Sequence, residues 1–168
     1  MKQNFNRSKV AIIGASGLVG REIVRLIHSH PLLSLEQICA SLGRIGTPFS
    51  SEYPGLVFSS SDSIKKNSLV ISALPSSAAK KIEGELAQKG CTVISNASAF
   101  RMDSEVPLVQ PDVNSETLLS APKGIICIPN CVVSALTLAL KPLVDRFGVS
   151  AVQVTTMQAI SGAGRAQG

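Results

Sequence analysis

A glycine-rich turn near the start of the chain constrains the fold more than any other feature. The β-branched run Val10–Ile13 is followed by the motif GASGLVG at residues 14–20, which leads into apolar residues at helical spacing. This order predicts a strand, a tight turn and a helix. In that context Gly14 permits the turn, Gly17 lets backbone N–H groups approach a pyrophosphate, and Gly20 allows close packing of the helix.

The rest of the chain continues the alternation of strands and helices. Because the strands are nearly continuous apolar runs, they indicate a parallel sheet covered by helices on both faces. We therefore predict an α/β fold, a Rossmann-like, doubly wound, mostly parallel sheet, over residues 1–130. The pattern predicts strands at residues 10–13, 35–41, 69–74, 91–95 and 125–128, and helices at residues 18–27, 78–89 and 131–147.

The last part of the chain, residues 131–168, is predicted to leave this sheet and to begin a new one. The alternating residues of Val149–Met157 predict its first strand. Between the second and third strands, residues 43–63 are rich in Gly, Pro and Ser, which predicts a long loop or a short hairpin.

The composition excludes several classes of protein. With 45% hydrophobic and 16% charged residues, the 168-residue chain is expected to fold. It lacks the roughly 18 unbroken apolar residues of a membrane helix and the apolar middle of a secretory signal, so we expect a cytoplasmic protein. The net charge of +5 comes without a dense basic stripe or stacking aromatics, and we expect no nucleic-acid partner. No His or Cys spacing predicts a metal site.

The end of the second predicted strand bears on the choice of cofactor. An acidic residue there usually accepts a hydrogen bond from the ribose 2′-hydroxyl of NAD, but this chain reads ASLGR at residues 40–44. Ser41 and Arg44 can instead hold a 2′-phosphate by charge-assisted hydrogen bonds, which favours NADP. The alternative for Arg44 is a solvated loop side chain.

One of four cysteines stands at a chemically distinctive position. The strand at residues 125–128 runs into Pro129–Asn130, which places Cys131 in the first turn of the next helix. Unpaired N–H groups at a helix start stabilise a thiolate, so Cys131 is a candidate nucleophile. A free cysteine is more often a small buried apolar residue, and that is the interpretation of the other three, at positions 39, 91 and 127.

Four motifs together carry a family resemblance. They are GASGLVG at residues 14–20, SNASAFRMD at 95–103, PNC at 129–131 and QAISGAG at 158–164. In this order they resemble aspartate-semialdehyde dehydrogenase, from about Lys9 to the last residue. SALPS at residues 72–76 is similar to the archaeal and fungal branch of that family, whereas SAF at 98–100 is similar to the bacterial branch.

The resemblance implies an activity. Members of that family reversibly convert L-aspartate 4-semialdehyde, phosphate and NADP to 4-phospho-L-aspartate and NADPH, in lysine, threonine and methionine biosynthesis. By similarity, the Cys131 thiolate forms a thioester with the acyl group. The resemblance further implies that residues 131–168 begin an α+β domain for catalysis and dimerisation, of which this sequence holds only the start. The expected partners are the small-molecule substrate and phosphate, and the complete enzyme is expected to be a homodimer or homotetramer.

The resemblance also implies roles for individual residues. Gln158 would orient the substrate near Cys131, while Arg101 and Asn130 would hold the phosphate or acyl phosphate. Without the motif, Arg101 could simply pair with Asp103, and Gln158 could be a solvated loop amide. The predicted cofactor contacts are Gly14, Ser16, Gly17, Leu18, Val19, Ser41, Arg44, Ser72, Ala73, Asn96, Ser161 and Gly162.

The resemblance predicts that residues 1–168 do not contain the general acid/base of the reaction. In that family a histidine of the second domain plays this part, whereas His28 and His30 are predicted at the far end of the first helix. We therefore expect little turnover from residues 1–168 alone.

Two alternatives to this family remain open. The first is N-acetyl-γ-glutamyl-phosphate reductase, which the motif SGAGR at residues 161–165 resembles. Asn130 before the cysteine and the two valines after it disfavour this family. The second alternative is a non-catalytic dinucleotide-binding fragment.

Overall fold

The structure is a computed structural model that describes residues 7–158. Six strands alternate with four helices along these residues. Three short 3₁₀ turns, at Leu42–Arg44, Ser61–Ser63 and Ser115–Leu119, lie in the connections. The elements are β1 (Ser8–Ile13), α1 (Leu18–His28), β2 (Leu33–Cys39), β3 (Phe58–Ser59), β4 (Leu69–Ser72), α2 (Ser76–Gln88), β5 (Thr92–Ser95), α3 (Pro111–Asn114), β6 (Ile125–Cys127) and α4 (Cys131–Phe147).

The six strands form one parallel sheet in the order β3-β2-β1-β4-β5-β6. The register brings the last residues of the neighbouring strands side by side: Ile13 pairs with Cys39 and Ser72, and Ser95 pairs with Ser72 and Cys127. The strand order reverses between β1 and β4, and ligands of such sheets bind in the crevice beyond the carboxyl ends at that point. The predicted Rossmann-like fold class is confirmed.

Two apolar cores lie on opposite faces of the sheet. On one face, Val24 and Ile27 of α1 pack against strand residues that include Val10 and Ile12. On the other face, Leu86 of α2 packs against a second set of strand residues, which includes Ala11, Ile13, Val70, Val93 and Ile125. Because successive residues of a strand point to opposite faces, β1 supplies both cores. Each large apolar side chain buried in this way contributes about 1.5–3 kcal/mol.

The segment between β2 and β4 contains a minimal hairpin. Pro48 and Val57 form an antiparallel bridge, and Phe58 then enters the sheet beside β2. The Phe49 ring packs edge-on against the rings of Phe58 and Tyr53, at centroid distances of 5.7 and 5.6 Å. Of the two alternatives for residues 43–63, the short hairpin is therefore the one observed.

The helix α4 and the chain that follows it lie on the surface. No residue of α4 is buried, and its apolar side chains include the exposed Leu143 and Phe147. The prediction of a strand at Val149–Met157 is wrong, because these residues are exposed and form no strand. An alternating pattern selects a face, but a strand also needs a neighbour for its N–H and C=O groups. Within residues 7–158 no strand lies alongside this segment.

A helix that crosses a membrane must be both long and apolar. Within residues 7–158, none is both long enough and apolar enough to span a membrane.

Candidate active site

A cavity of about 310 Å³ opens at the carboxyl ends of β1, β2 and β4. It lies at the reversal of strand order, where the glycine turn, the end of β2 and the start of α2 meet. Its lining includes five of the predicted cofactor contacts, and the sheet has therefore brought together residues from three separate turns. These five are Gly14, Ser16, Gly17, Ser41 and Ala73.

The three glycines of the first turn have different structural requirements. Gly14 has φ +75°, and a Cβ there would lie 2.6 Å from the Ala73 carbonyl oxygen. A Cβ on Gly20 would overlap the Gly14 carbonyl oxygen. A Cβ on Gly17 would meet only that same oxygen, at an ordinary 3.5 Å. The fold therefore requires Gly14 and Gly20, whereas Gly17 is compatible with a side chain and leaves space on the cavity side.

The start of α1 is open to an anion. Gly17 is the N-cap residue and supplies no side-chain hydrogen bond to the first turn, and no acidic side chain lies in that turn. Backbone N–H groups without intrahelical partners carry the positive end of the helix dipole. Since Gly17 also lines the cavity, the cavity presents these donors where a pyrophosphate would bind.

Other predicted contacts lie around the cavity and do not line it. Leu18 and Val19 are 63% and 50% exposed on the outer side of the helix start. Arg44 ends the 3₁₀ turn that Ser41 caps, and its backbone N–H donates to the Ser41 carbonyl oxygen at 2.9 Å. Within residues 7–158 the Arg44 guanidinium has no hydrogen bond or ion pair, so it is available to a group bound beside Ser41.

The ends of β4 and β5 form the frame beside the cavity. Ala73 lines the cavity, and its N–H donates to the Ile13 carbonyl oxygen at 2.9 Å. Ser72 is fully buried, and its Oγ accepts a hydrogen bond from the Leu74 N–H at 3.4 Å. Asn96 donates its backbone N–H to the Ser72 carbonyl oxygen at 3.0 Å. Ser72 thus shapes the turn, and its hydroxyl does not face the cavity.

The cysteine at residue 131 is the first residue of α4 and its thiol is exposed. Asn130 is the N-cap: its Oδ1 accepts hydrogen bonds from the Val132 N–H at 3.0 Å and from the Cys131 thiol at 3.8 Å. The capping function of Asn130 was not deduced from the sequence, although Asn is among the preferred N-cap residues. The cap holds the start of the helix in place directly beneath the thiol.

The other three cysteines are free and buried, as predicted. Burial raises the pKa of the Cys39 thiol, and burial raises the pKa of Cys127 to about 11. A raised pKa keeps a thiol protonated and unreactive near neutral pH. Within the described residues, Cys131 is therefore the cysteine that an external reagent or substrate can reach.

The guanidinium of Arg101 bridges the exits of two strands. Its Nε donates to the Ile128 carbonyl oxygen at 3.0 Å, and its Nη2 donates to the Asn96 carbonyl oxygen at 2.8 Å. The alternative pairing with Asp103 is not formed, since that carboxylate pairs with Lys123 at 2.8 Å. Arg101 is thus fixed between the ends of β5 and β6, and its acceptor Ile128 lies just before the Asn130 cap in the chain.

The remaining predicted residues lie farther along the chain or outside the described part. Gln158 is exposed in the segment after α4, and no hydrogen bond connects it to the site within residues 7–158. Ser161 and Gly162 lie outside the described residues. His28 contacts the Tyr53 ring, and the Nδ1 of His30 accepts hydrogen bonds from backbone N–H groups at the start of β2. Both histidines lie at the end of α1 opposite to the cavity.

The fold and the site define a dinucleotide-binding α/β protein that carries an accessible cysteine at a helix start beside the nucleotide crevice. The comparison with protein families gives a more specific assignment. The model described as the NAD binding domain of semialdehyde dehydrogenase matches residues 9–121, and the model of the dimerisation domain of semialdehyde dehydrogenase matches residues 140–167. The chain belongs to the semialdehyde dehydrogenase family.

Individual relatives agree with this assignment. The aspartate-semialdehyde dehydrogenase of Archaeoglobus fulgidus is 37% identical over 180 residues, which cover 94% of this chain and 52% of that protein. A crystal structure of aspartate semialdehyde dehydrogenase II from Vibrio cholerae, complexed with ASA, superposes with a TM-score of 0.84 at 30% identity and covers 96% of this chain and 49% of that one. The enzyme of Candida albicans, solved with NADP, gives 0.74 at 28% identity over 86% and 48%. The chain spans about half the length of the relatives it matches.

Proposed function

We propose that this chain is the nucleotide-binding half of an NADP-dependent aspartate-semialdehyde dehydrogenase, which reduces 4-phospho-L-aspartate to L-aspartate 4-semialdehyde. The observation that carries the proposal is the position of the exposed Cys131 at the exit of β6, two strands from the cavity at β4. Neighbouring strands lie about 4.8 Å apart, so the ends of β4 and β6 are separated by roughly 10 Å. A dinucleotide bound along the crevice would extend toward that thiol.

The residues of the crevice fit a dinucleotide. Gly17 leaves the space that a pyrophosphate needs, and the open first turn of α1 supplies N–H donors. Ser41 and Arg44 would hold a 2′-phosphate, and Ala73 and Asn96 lie on the frame where the nicotinamide half would rest. When bound, NADPH would supply the hydride that reduces the acyl group to the aldehyde.

The protein groups account for the acyl transfer. The Cys131 sulfur would attack the acyl carbon of 4-phospho-L-aspartate, so that a C–S bond forms, the C–O bond to phosphate breaks and phosphate departs. Asn130 holds the helix start under the sulfur, and its amide Nδ2 is a donor for the leaving anion. Arg101 already uses two N–H groups on carbonyl oxygens, and its other donors would bind phosphate oxygens.

The remaining expectations follow from the same reaction. Gln158 would orient the substrate, and Ser161 and Gly162 would contact the nicotinamide. The dimerisation model at residues 140–167 supports an oligomer, and we propose a homodimer or homotetramer of the complete enzyme. The free thiol that the reaction needs persists in a reducing compartment, which supports a cytoplasmic location. The boundary between residues 130 and 131 stays a prediction.

The acyl-transfer step can be tested without turnover. Incubation of the 168-residue chain with 4-phospho-L-aspartate should attach one aspartyl group to Cys131, detected by mass spectrometry of the intact protein and of its peptides. The matched controls are Cys131→Ala, which should stay unmodified, and Cys91→Ala, which should react like the parent. The absence of an adduct on a folded parent chain would contradict the proposal.

Substrate choice separates the proposed enzyme from the two alternatives. The phosphate of N-acetyl-γ-glutamate should acylate Cys131 much more slowly than 4-phospho-L-aspartate. The opposite order would favour the N-acetyl-γ-glutamyl-phosphate reductase assignment. NADPH binding without acylation by either compound would favour the non-catalytic fragment.

A further inference from the structure

A fully buried carboxyl group lies beneath the strand ends of the candidate site. Glu83, on α2, has no solvent exposure, and its Oε1 accepts a hydrogen bond from the Ser95 hydroxyl at 2.9 Å. Its other oxygen, Oε2, has no hydrogen-bond partner within the described residues. Burial of a carboxyl group is costly unless hydrogen bonds offset the lost hydration. A carboxyl retained at this position among apolar side chains points to a role besides packing.

The hydroxyl of Ser95 connects this carboxyl group to the turn that follows β5. Ser95 is the last residue of β5 and is fully buried. Its Oγ accepts a hydrogen bond from the Ala97 N–H at 3.1 Å while it donates to Glu83. Since a hydroxyl has only one hydrogen, the acceptor on Glu83 fixes the direction of that hydrogen and leaves a lone pair for Ala97.

The same turn holds the guanidinium of the site. The Asn96 carbonyl oxygen, between Ser95 and Ala97, accepts from Arg101 Nη2, and Arg101 Nε donates to the Ile128 carbonyl oxygen. Ile128 leads into the Asn130 cap of α4. The peptide group between Asn96 and Ala97 therefore joins two sets of hydrogen bonds, one to the buried carboxyl group through Ser95 and one to the exit of β6 through Arg101.

The neighbouring strand offers an internal comparison. Ser72 is the register partner of Ser95 and is equally buried, and its Oγ also accepts from the N–H two residues on, but at 3.4 Å. Within residues 7–158, no carboxyl group accepts a hydrogen bond from its hydroxyl. The turn after β4 is thus held by the hydrogen bond to its serine, while the serine of the turn after β5 is itself hydrogen-bonded to Glu83 of α2.

Charge also links the two ends of this network. Burial is the largest cause of the raised pKa of Cys127; among charged groups, Glu83 raises it further and Arg101 lowers it. The carboxyl group and the guanidinium thus both act on the same thiol, at the last residue of β6.

We propose that Glu83 is a positioning residue that, through Ser95, holds the β5 turn and Arg101 in the geometry that binds the phosphate of the substrate. The inference rests on the proposed function and deepens it, because it assigns the buried carboxyl group a part in recognition of the anion. Glu83 touches neither substrate nor cofactor, and it acts through the acceptor oxygen that it offers to Ser95.

The first test measures the Arg101 hydrogen bond directly. In ¹H–¹⁵N spectra of the 168-residue chain, exchange of the Arg101 Nε–H with solvent should accelerate about tenfold in Glu83→Met, the effect of weakening one hydrogen bond. Ser95→Ala removes the same link with a smaller change in volume and should give the same acceleration, so the test holds if the Met variant does not fold. Glu83→Gln keeps an acceptor for Ser95 and should retain slow exchange.

Two controls separate positioning from stability. Glu85→Gln makes the same charge change on the exposed side of α2, and Val24→Ala destabilises the core on the other face of the sheet. Neither should alter Arg101 Nε–H exchange at a pH and temperature where the chain is folded. Unchanged exchange in both Glu83→Met and Ser95→Ala would overturn the proposal. Equally fast exchange in Glu83→Gln would also overturn it, since the acceptor is retained there.

The second test links the network to the anion. Acylation of Cys131 by the anionic 4-phospho-L-aspartate should slow about tenfold in Ser95→Ala, whereas alkylation of Cys131 by neutral iodoacetamide should be unchanged. Equal slowing with both reagents would show a general distortion and overturn the proposal. If the parent chain is not acylated at all, the proposed function fails, and the exchange measurement still decides the role of Glu83.

Discussion

The nucleotide crevice and the cysteine site are adjacent on one sheet edge, but they are built in different ways. The crevice depends on missing side chains: Gly14 and Gly20 allow backbone segments to approach each other, and Gly17 leaves space. The cysteine site depends on side-chain hydrogen bonds, from Asn130 to the helix start and from Arg101 to two carbonyl oxygens.

The two regions also differ in how far apart in the chain their contacting residues are. The glycine turn is complete within seven consecutive residues. The φ of +75° at Gly14 and the close approach of Gly20 to Gly14 are local, and only the contact of Gly14 with Ala73 involves a distant segment. Arg101 instead donates to Ile128, 27 residues away, and that contact exists only after β5 and β6 have paired. We expect substitutions in the first region to act on folding or on cofactor binding according to position, and substitutions in the second to act on reactivity.

The largest effect is expected for Gly14→Ala. The φ of +75° is strained for any residue with a Cβ, and that Cβ would lie 2.6 Å from a carbonyl oxygen that the sheet fixes. The free energy of unfolding should fall by at least about 3 kcal/mol, a large part of the stability of a domain this size. Urea unfolding followed by circular dichroism measures this change. A stability within about 0.5 kcal/mol of the parent would show that the turn rearranges easily.

The neighbouring Gly17→Ala should give the opposite result, because the new Cβ meets nothing closer than 3.5 Å. Stability should be nearly unchanged, while affinity for NADPH falls roughly a hundredfold through loss of two hydrogen bonds to phosphate, about 1.5 kcal/mol each. Fluorescence titration measures the affinity. The control is Gly84→Ala, in a helix with open space at the Cβ position, which should leave binding unchanged. An unchanged affinity of Gly17→Ala for NADPH would show that the pyrophosphate does not bind at this turn.

The thiols should react in an order set by burial. With iodoacetamide at pH 8, Cys131 should be alkylated first and Cys127 last, since the pKa of Cys127 is raised to about 11 and its side chain is inaccessible. Peptide mass spectrometry after timed quenching gives the four rates. If Cys39 or Cys127 is alkylated as fast as Cys131 in the folded chain, the conclusion that only the Cys131 thiol is accessible is wrong.

The raised pKa of Cys127 also predicts a loss of stability at high pH. Its pKa is about 11 in the folded chain against 9.0 for an unperturbed thiol, so the unfolded chain releases its proton first. The contribution is fully present below pH 9 and is lost between pH 9 and 11. Cys127→Ala should reduce this alkaline decline, measured by unfolding at a series of pH values. An identical decline in the variant would assign it to other groups.

The smallest effect is expected for Arg44→Ala, because it removes a single contact of a half-buried side chain. Affinity for NADP should fall about tenfold with little change for NAD, the cost of one hydrogen bond to a phosphate. The matched control is Arg146→Ala, near the end of α4, which should leave both affinities unchanged. An unchanged ratio of NADP to NAD affinity in Arg44→Ala would assign the 2′-phosphate to other residues.

The regular elements could be predicted from the sequence because their patterns are local. The predicted helix 78–89 is observed as Ser76–Gln88, and the predicted strand 35–41 as Leu33–Cys39. The error at Val149–Met157 has a different origin. Alternation of apolar residues reports a buried face, but formation of a strand depends on a neighbouring edge that the pattern does not contain.

The candidate site could be predicted only in part. The motifs indicated the glycine turn, Cys131 and Arg101, because each has a residue type suited to one chemical task. They did not indicate that Asn130 caps α4 or that Arg101 braces two strand exits. The spacing of α2 places Glu83 on the same face as the buried Leu86, but glutamate is rarely fully buried, so only the structure showed that this one is.

The sequence by itself determined the order of strands and helices, the glycine turn, and the helix start that carries the cysteine. These follow from backbone sterics and from the period of the apolar residues, which act over a few neighbouring positions. Only the tertiary structure decided that Glu83 is fully buried and how Glu83, Ser95 and Arg101 are linked. Those properties depend on contacts between segments that are far apart in the chain and meet only when the parallel strands are in register.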